Sequence, residues 1–239
     1  MNRLTTYSLL AAFLTIGTSA SAASITWGPA QNLAAAGDII TLGAGEAIRA
    51  SNGGTDAVTV NGVLFEAQTN DGGFTAPTAT PDFYTVDATA GPGTFNQASA
   101  DTYSVVTGDA SLDTLLASHY FGNNSGGSGT STITLQNLVV GADYTIQYIH
   151  AADDRSAALS GRTSTLDGQT SLVRFNGTAV EYAIGTFTAD ATTQDIVSVG
   201  SLDGGGDFSG LVLRQDNVPE PGSLALLGLG GLLLTRRRR

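Results

Sequence analysis

Apolar residues in this chain fall mostly in short runs that alternate with hydroxyl side chains and stop at glycine or at a turn signal. Tyr144-Thr145-Ile146-Gln147-Tyr148-Ile149 and Thr132-Ile133-Thr134-Leu135 are the clearest cases. A period of two predicts strands with one face turned inward, so Tyr144, Ile146 and Tyr148 should share a face. Further strand signals lie at Ile25-Thr26-Trp27-Gly28, Ile39-Ile40-Thr41-Leu42, Val58-Thr59-Val60, Val63-Leu64-Phe65, Phe83 to Val86 and Leu172-Val173-Arg174-Phe175. Tyr182 to Thr188, Asp195 to Val199 and Phe208 to Leu213 complete the set. Asn61-Gly62 between two valine runs predicts a two-residue hairpin, Asn176-Gly177 predicts a second turn, and Val139 to Asp143 a third. One stretch has helical spacing. Leu112, Leu115, Leu116, His119 and Tyr120 recur at three and four residues, behind a cap at Ser111 and up to Gly122. The expectation is an all-β fold, an antiparallel β-sandwich of jelly-roll type with one short helix.

The two ends break this pattern. Near the start, Arg3 precedes the apolar run Leu9 to Ile16, and Ala20-Ser21-Ala22 follows with Ala23 behind it. A positive charge, a short apolar core and a small-x-small site in that order form a Sec-type signal peptide. The run is shorter than the ~20 residues of a spanning helix, so residues 1–22 are expected to be removed after export. Near the other end, Val218-Pro219-Glu220-Pro221 leads into the uncharged run Gly222 to Thr235 and then Arg236, Arg237, Arg238 and Arg239. The prolines hold an extended, protease-accessible stretch. The arginines act as a membrane stop and stay on the cytoplasmic side, which holds the body on the far side. The apolar run reaches about 21 Å as a helix, against about 30 Å of hydrocarbon. That length suits a transient anchor better than a permanent one.

Composition sharpens the middle segment, residues 23–216. The chain has no lysine and 31 glycines, which disfavours long helices. Between Ala23 and Val218 stand 20 Asp or Glu against 5 Arg, a charge near −15. Such a surface repels phosphate, so nucleic acid is excluded as a partner. There are no cysteines, which removes disulfides and thiolate chemistry.

Candidate chemistry in the middle segment is sparse. His119 sits on the helical stripe, and His150 ends a strand before Asp153-Asp154. No nucleophile elbow and no zinc-binding His pair accompanies them, so no catalytic residue and no metal ligand is assigned. Carboxylates at Asp153-Asp154 and Asp203-Gly204-Gly205-Gly206-Asp207 offer hard oxygen donors for a structural calcium. No other cofactor is implied. Tyr148, Asp154 and Arg155 are the candidate ligand-binding residues, an aromatic ring with hydrogen-bonding groups near a strand end. Core packing is the competing role for Tyr148, and a salt bridge for Arg155. Two asparagine sequons, at Asn123 and Asn176, are expected to be turns.

The order Pro219-Glu220-Pro221, apolar run, arginine cluster resembles the PEP-CTERM sorting signal over residues 217–239. The resemblance implies recognition and cleavage near the tripeptide by an exosortase, a transpeptidase-like membrane protease. The middle resembles a galactose-binding-like jelly-roll module over roughly residues 100–215. Thr134-Leu135-Gln136-Asn137-Leu138, Gly141 with Tyr144, Asp154-Arg155, Ile184 to Asp190 and Leu211-Val212-Leu213-Arg214 carry it. These are framework positions and speak to fold. The resulting expectation is an exported, non-enzymatic protein of the cell surface or exopolysaccharide matrix. It would use the Sec translocon and exosortase and touch the membrane transiently through both ends. A surface carbohydrate-binding module is the alternative, and a secreted hydrolase a third.

Overall fold

Strands that bury one face need a second layer, and two sheets supply it here. The structure is a computed structural model that describes residues 23–54, 56–68, 81–87, 96–99, 107–122, 129–150, 163–173, 180–201 and 205–216. In chain order the strands are β1 (Thr26–Trp27), β2 (Gln31–Leu33), β3 (Ala47–Asn52), β4 (Val58–Val60), β5 (Val63–Glu66), β6 (Tyr84–Asp87) and β7 (Asn96–Ser99). After the helix α1 (Ala110–Ala117) come β8 (His119–Gly122), β9 (Thr130–Leu135), β10 (Asp143–His150), β11 (Thr163–Leu166), β12 (Thr170–Val173), β13 (Val180–Thr188), β14 (Gln194–Gly200) and β15 (Gly205–Asp216). The larger sheet runs β1-β13-β10-β15-β3-β5-β4, with β2 also on β13, β8 on β15 and β7 on β8. The smaller runs β12-β11-β14-β9-β6. The fold is an all-β sandwich, as the alternation predicts.

The hairpin at Asn61-Gly62 forms where expected. Both residues have positive φ, 50° and 77°, the backbone of a type I′ turn. One consequence was not expected. β4 occupies the far edge and the tight turn brings β5 back between β4 and β3, so β5 pairs with β3 in parallel, Ala50 opposite Phe65. The other described pairings are antiparallel.

The smaller sheet alternates cleanly, inward at Ile133, Leu135, Leu166, Leu172 and Ile196. The larger sheet does not, because both of its faces are covered. On one side Tyr144, Ile146 and Tyr148 of β10 meet the smaller sheet, sharing the face their parity requires. On the other, Ile149 and Val212 pack with Leu112, Leu115 and Leu116 of α1. Seven consecutive residues of β10 are buried as a result. Gln147 faces the second side with no exposed area. Its amide donates to the Asp38 carbonyl at 2.8 Å and accepts from the Ile40 N–H at 3.0 Å. Ile39 to Leu42 is not a strand: the Ile39 N–H turns back to the Ala36 carbonyl, and side chains of Gln147, Asn61 and Arg214 meet the Ile40 N–H and the Ile39 and Thr41 carbonyls in place of a ladder.

The helix is shorter than its apolar spacing predicts. Asp109, not Ser111, is the cap, its carboxylate accepting from the Ser111 and Leu112 N–H groups at 2.9 and 3.0 Å. The helix ends at Ala117, and Ser118 is extended at φ −92°, ψ 141°. His119 and Tyr120 therefore lie on β8, where Tyr120 pairs with Phe208. Ladder bonds and aromatic packing there outweigh another helical turn.

A side-chain clamp joins the layers near the start of the body. The Trp27 indole N–H donates to Asp167 Oδ2 at 2.7 Å, and the Val197 N–H donates to Asp167 Oδ1 at 2.7 Å. Asp167 occupies the turn between β11 and β12 at φ 48°, a conformation aspartate tolerates better than most residues. Asp167→Ala removes a charged acceptor from two donors. It is expected to lower stability by about 2 kcal/mol, read as a shift of the urea midpoint followed by Trp27 fluorescence.

Candidate functional site

The candidates the sequence offers fall into three places. Ala20, Ala22, Pro219, Glu220, Pro221 and Arg236 to Arg239 lie outside the described residues, as do Asp153, Asp154, Arg155, Asp203, Asn123 and Asn176. Ala23, the expected first residue after cleavage, is half-buried. Tyr148, His119, His150 and Asp207 belong to the body and are all buried.

Tyr148 requires a correction as a ligand-binding residue. It has no exposed area, its hydroxyl donates to the Asp207 carbonyl at 3.0 Å, and its ring lies 5.9 Å from Phe208. A ring enclosed in this way presents no face on which a sugar could stack. Its role is to join β10 to β15. The core reading, also legible from the shared parity with Tyr144, fits the geometry.

Phe208 is the hub of this region. Tyr120 stacks on it at 5.3 Å and Tyr84 meets it edge-on at 6.1 Å. Its position depends on a bulge. Leu211 and Leu213 face the inter-sheet core, and strict alternation would turn Phe208 away from them. The register between β10 and β15 slips at this point, with Ile149 opposite Gly210 but His150 opposite Phe208. The extra residue, Ser209, returns Phe208 to the inner face. Nothing in the sequence marks this bulge.

A second feature missed from sequence is a polar chain across the sandwich. Gln68 donates to the Tyr84 hydroxyl at 2.5 Å, and that hydroxyl donates to Ser51 Oγ at 3.0 Å. Ser51 Oγ also lies 3.0 Å from the Glu66 and Asn52 carbonyls. Asn52 accepts from the Gly54 N–H at 2.9 Å and donates to the Asp56 carbonyl. All of Ser51, Asn52, Gln68 and Tyr84 are buried. Burial pushes the Tyr84 hydroxyl well above its ordinary value of 10.0, against the lowering effect of Ser51 and Gln68. The chain ties strand β6 of the smaller sheet to β3 of the larger, and burial keeps the phenol neutral.

Tyr84→Phe is accordingly expected to cost about 1–3 kcal/mol at neutral pH, because Ser51 and Gln68 stay buried with a partner missing. The sign of its pH effect follows from linkage. Above pH 10 the unfolded phenol loses its proton while the folded one keeps it, so wild-type stability falls as pH rises past 10. Denaturation at pH 8 and pH 11 should show a shallower alkaline loss in the phenylalanine variant.

A small surface cavity of about 20 Å³ lies between Arg49, Asn137, Tyr144 and Gln215. That is room for a water and far below the roughly 300–1,000 Å³ of a ligand pocket. Among the described residues, no three His, Asp or Glu side chains gather as for a metal ion. None of the described helices is long and apolar enough to cross a membrane.

The end of β15 is the feature with direct functional meaning. This strand lies inside the larger sheet, between β10 and β3, and its last residue is Asp216. A model of the PEP-CTERM protein-sorting motif matches residues 217–239, beginning at the very next residue. No curated protein and no solved structure matches the chain. The chain carries a PEP-CTERM sorting motif, which implies export, transient anchoring in the membrane and processing by exosortase.

Proposed function

We propose that the mature body is a non-enzymatic structural component of the cell surface or the exopolysaccharide matrix, delivered there as a folded cargo. The Sec translocon would thread the chain behind residues 1–22. The apolar run Gly222 to Thr235 would hold it until exosortase acts near Pro219-Glu220-Pro221.

The observation that carries this reading is the junction at Asp216. The sorting motif follows an interior strand of the sandwich without a spacer, so what is sorted is the sandwich itself. The side chains that sequence offered for chemistry support it too. Tyr148, His119 and His150 are buried in the body, and the Tyr148 hydroxyl joins β10 to β15. The acidic balance of the body suits a hydrated matrix and keeps copies apart.

Fractionation of the native host tests the reading. The wild-type protein is expected in the extracellular or matrix fraction, and a variant lacking Pro219, Glu220 and Pro221 in the membrane fraction. A wild-type protein that remains with the membrane would overturn delivery to the matrix. Specific capture by a purified glycan would move the assignment to carbohydrate recognition.

A further inference from the structure

Both routes out of the fold leave from one end of the larger sheet. Thr26 pairs with Thr186, and continuing that register sets Ser24 level with Thr188. Thr188 pairs with Asp143, and Asp143 pairs with Asp216. A single row, Ser24, Thr188, Asp143 and Asp216, therefore crosses β1, β13, β10 and β15. The exits toward residues 22 and 217 are three strand spacings apart, about 14 Å. Beyond each exit lies an apolar run, Leu9 to Ile16 and Gly222 to Thr235.

The same end carries exposed aliphatic side chains. The turn between β9 and β10 is fixed against the end of β13, with the Gly141 N–H donating to the Ala189 carbonyl at 2.7 Å and the Ala189 N–H to Ala142 at 2.9 Å. The Val139 N–H donates to the Tyr144 hydroxyl at 2.8 Å. On this rigid turn Val139 and Val140 are 54% and 59% exposed. Leu42, 53% exposed, follows Thr41, whose carbonyl accepts from Arg214 near the end of β15. Val199 is exposed as well, but it pairs with Thr130 at the opposite end of the smaller sheet.

Reach completes the case. From Asp216 to Gly222 is six residues, at most about 20 Å even fully extended. With the tail in the bilayer, this end of the sandwich cannot stand far from the headgroups. We propose that it is the lipid-facing surface of the anchored precursor, with Val139, Val140 and Leu42 seated in the interface of the bilayer. The inference rests on insertion of the tail, as set out above. Charge selects the lipid. Glu46, Asp143, Asp190 and Asp216 stand at this end with Arg214, which holds Asp216 at 2.9 Å and Glu46 at 3.6 Å. The remaining negative balance favours zwitterionic over anionic headgroups.

The lack of cysteine makes a clean test available. Val139→Cys and Val199→Cys in the chain from Ala23 to Arg239, each carrying one environment-sensitive fluorophore, are reconstituted into phosphatidylcholine vesicles containing a lipid-borne quencher. Fluorescence at position 139 is expected to shift to the blue and to be quenched, while position 199 stays unchanged. Replacing half the lipid by phosphatidylglycerol should weaken the quenching at 139. Equal quenching at both positions, or at neither, in protein that stays with carbonate-washed vesicles overturns the lipid-facing surface alone. Loss of the protein from washed vesicles overturns it together with tail insertion.

Discussion

Gly53→Ala is expected to cost about 3 kcal/mol or more, at the upper end of what overpacking does. The reason is a change of strands beside β15. Along that strand Gly210 pairs with Asn52 of β3, whereas Phe208 pairs with Tyr120 of β8. Gly53 stands where one neighbour gives way to the other, and its N–H donates to the Ser209 carbonyl at 2.9 Å. A Cβ placed there would lie 2.1 Å from the Tyr120 nitrogen, 2.5 Å from the Phe208 oxygen and 2.6 Å from the His119 carbonyl carbon. All three are backbone atoms and cannot rotate aside, so β8 must leave β15 or β3 must end early. Gly37→Ala serves as the control. Its Cβ would meet nothing within 4 Å, and the change should stay within about 0.5 kcal/mol. Urea denaturation of both variants reads the difference directly.

Phe208→Ala is expected to cost about 3–5 kcal/mol. Its ring is in contact with Tyr84, Tyr120 and Tyr148 at centroid distances of 6.1, 5.3 and 5.9 Å. Those three tyrosines come from three different strands, and Tyr84 belongs to the opposite sheet. Removing the ring leaves a void among three phenols, two of which also hold hydrogen bonds across strands. Loss of near-ultraviolet circular dichroism at a lower urea concentration should accompany the loss of stability. Phe208→Leu, which keeps most of the volume, should recover a large part of it.

Much of the sandwich was legible in the pattern of alternation. Tyr144, Ile146 and Tyr148 share the inter-sheet face their spacing implies, and Asn61-Gly62 makes the turn that its positive-φ residues favour. The misses have physical causes. β3 reads Ala47-Ile48-Arg49-Ala50-Ser51-Asn52, with too few large apolar residues to mark a strand, because its polar end joins a buried hydrogen-bond chain. His119 and Tyr120 fit a helical stripe locally, but long-range pairing with β15 decides their conformation. β10 lost its expected polar face because α1 and the Asp38 to Ile40 segment cover the second side of the sheet, which no local pattern announces.

The functional end of the chain was more legible than the body, for a related reason. A sorting signal is read as a linear string by the membrane and by a protease, so its physics is local: prolines, an apolar run, arginines. A ligand site in a sandwich is assembled from distant residues, and Tyr148 shows how an aromatic at a strand end can look available in sequence yet be enclosed in the fold. Asp154 and Arg155, its proposed companions, lie outside the described residues.

Intact-mass analysis of the protein from its native host, with and without its exosortase, tests the central claim most directly. The account predicts a mature chain that begins near Ala23 and ends near Pro219 to Pro221, present in the wild type and lost without the exosortase. A mass that keeps Arg236 to Arg239 in both strains would contradict it and leave a body tethered to the membrane.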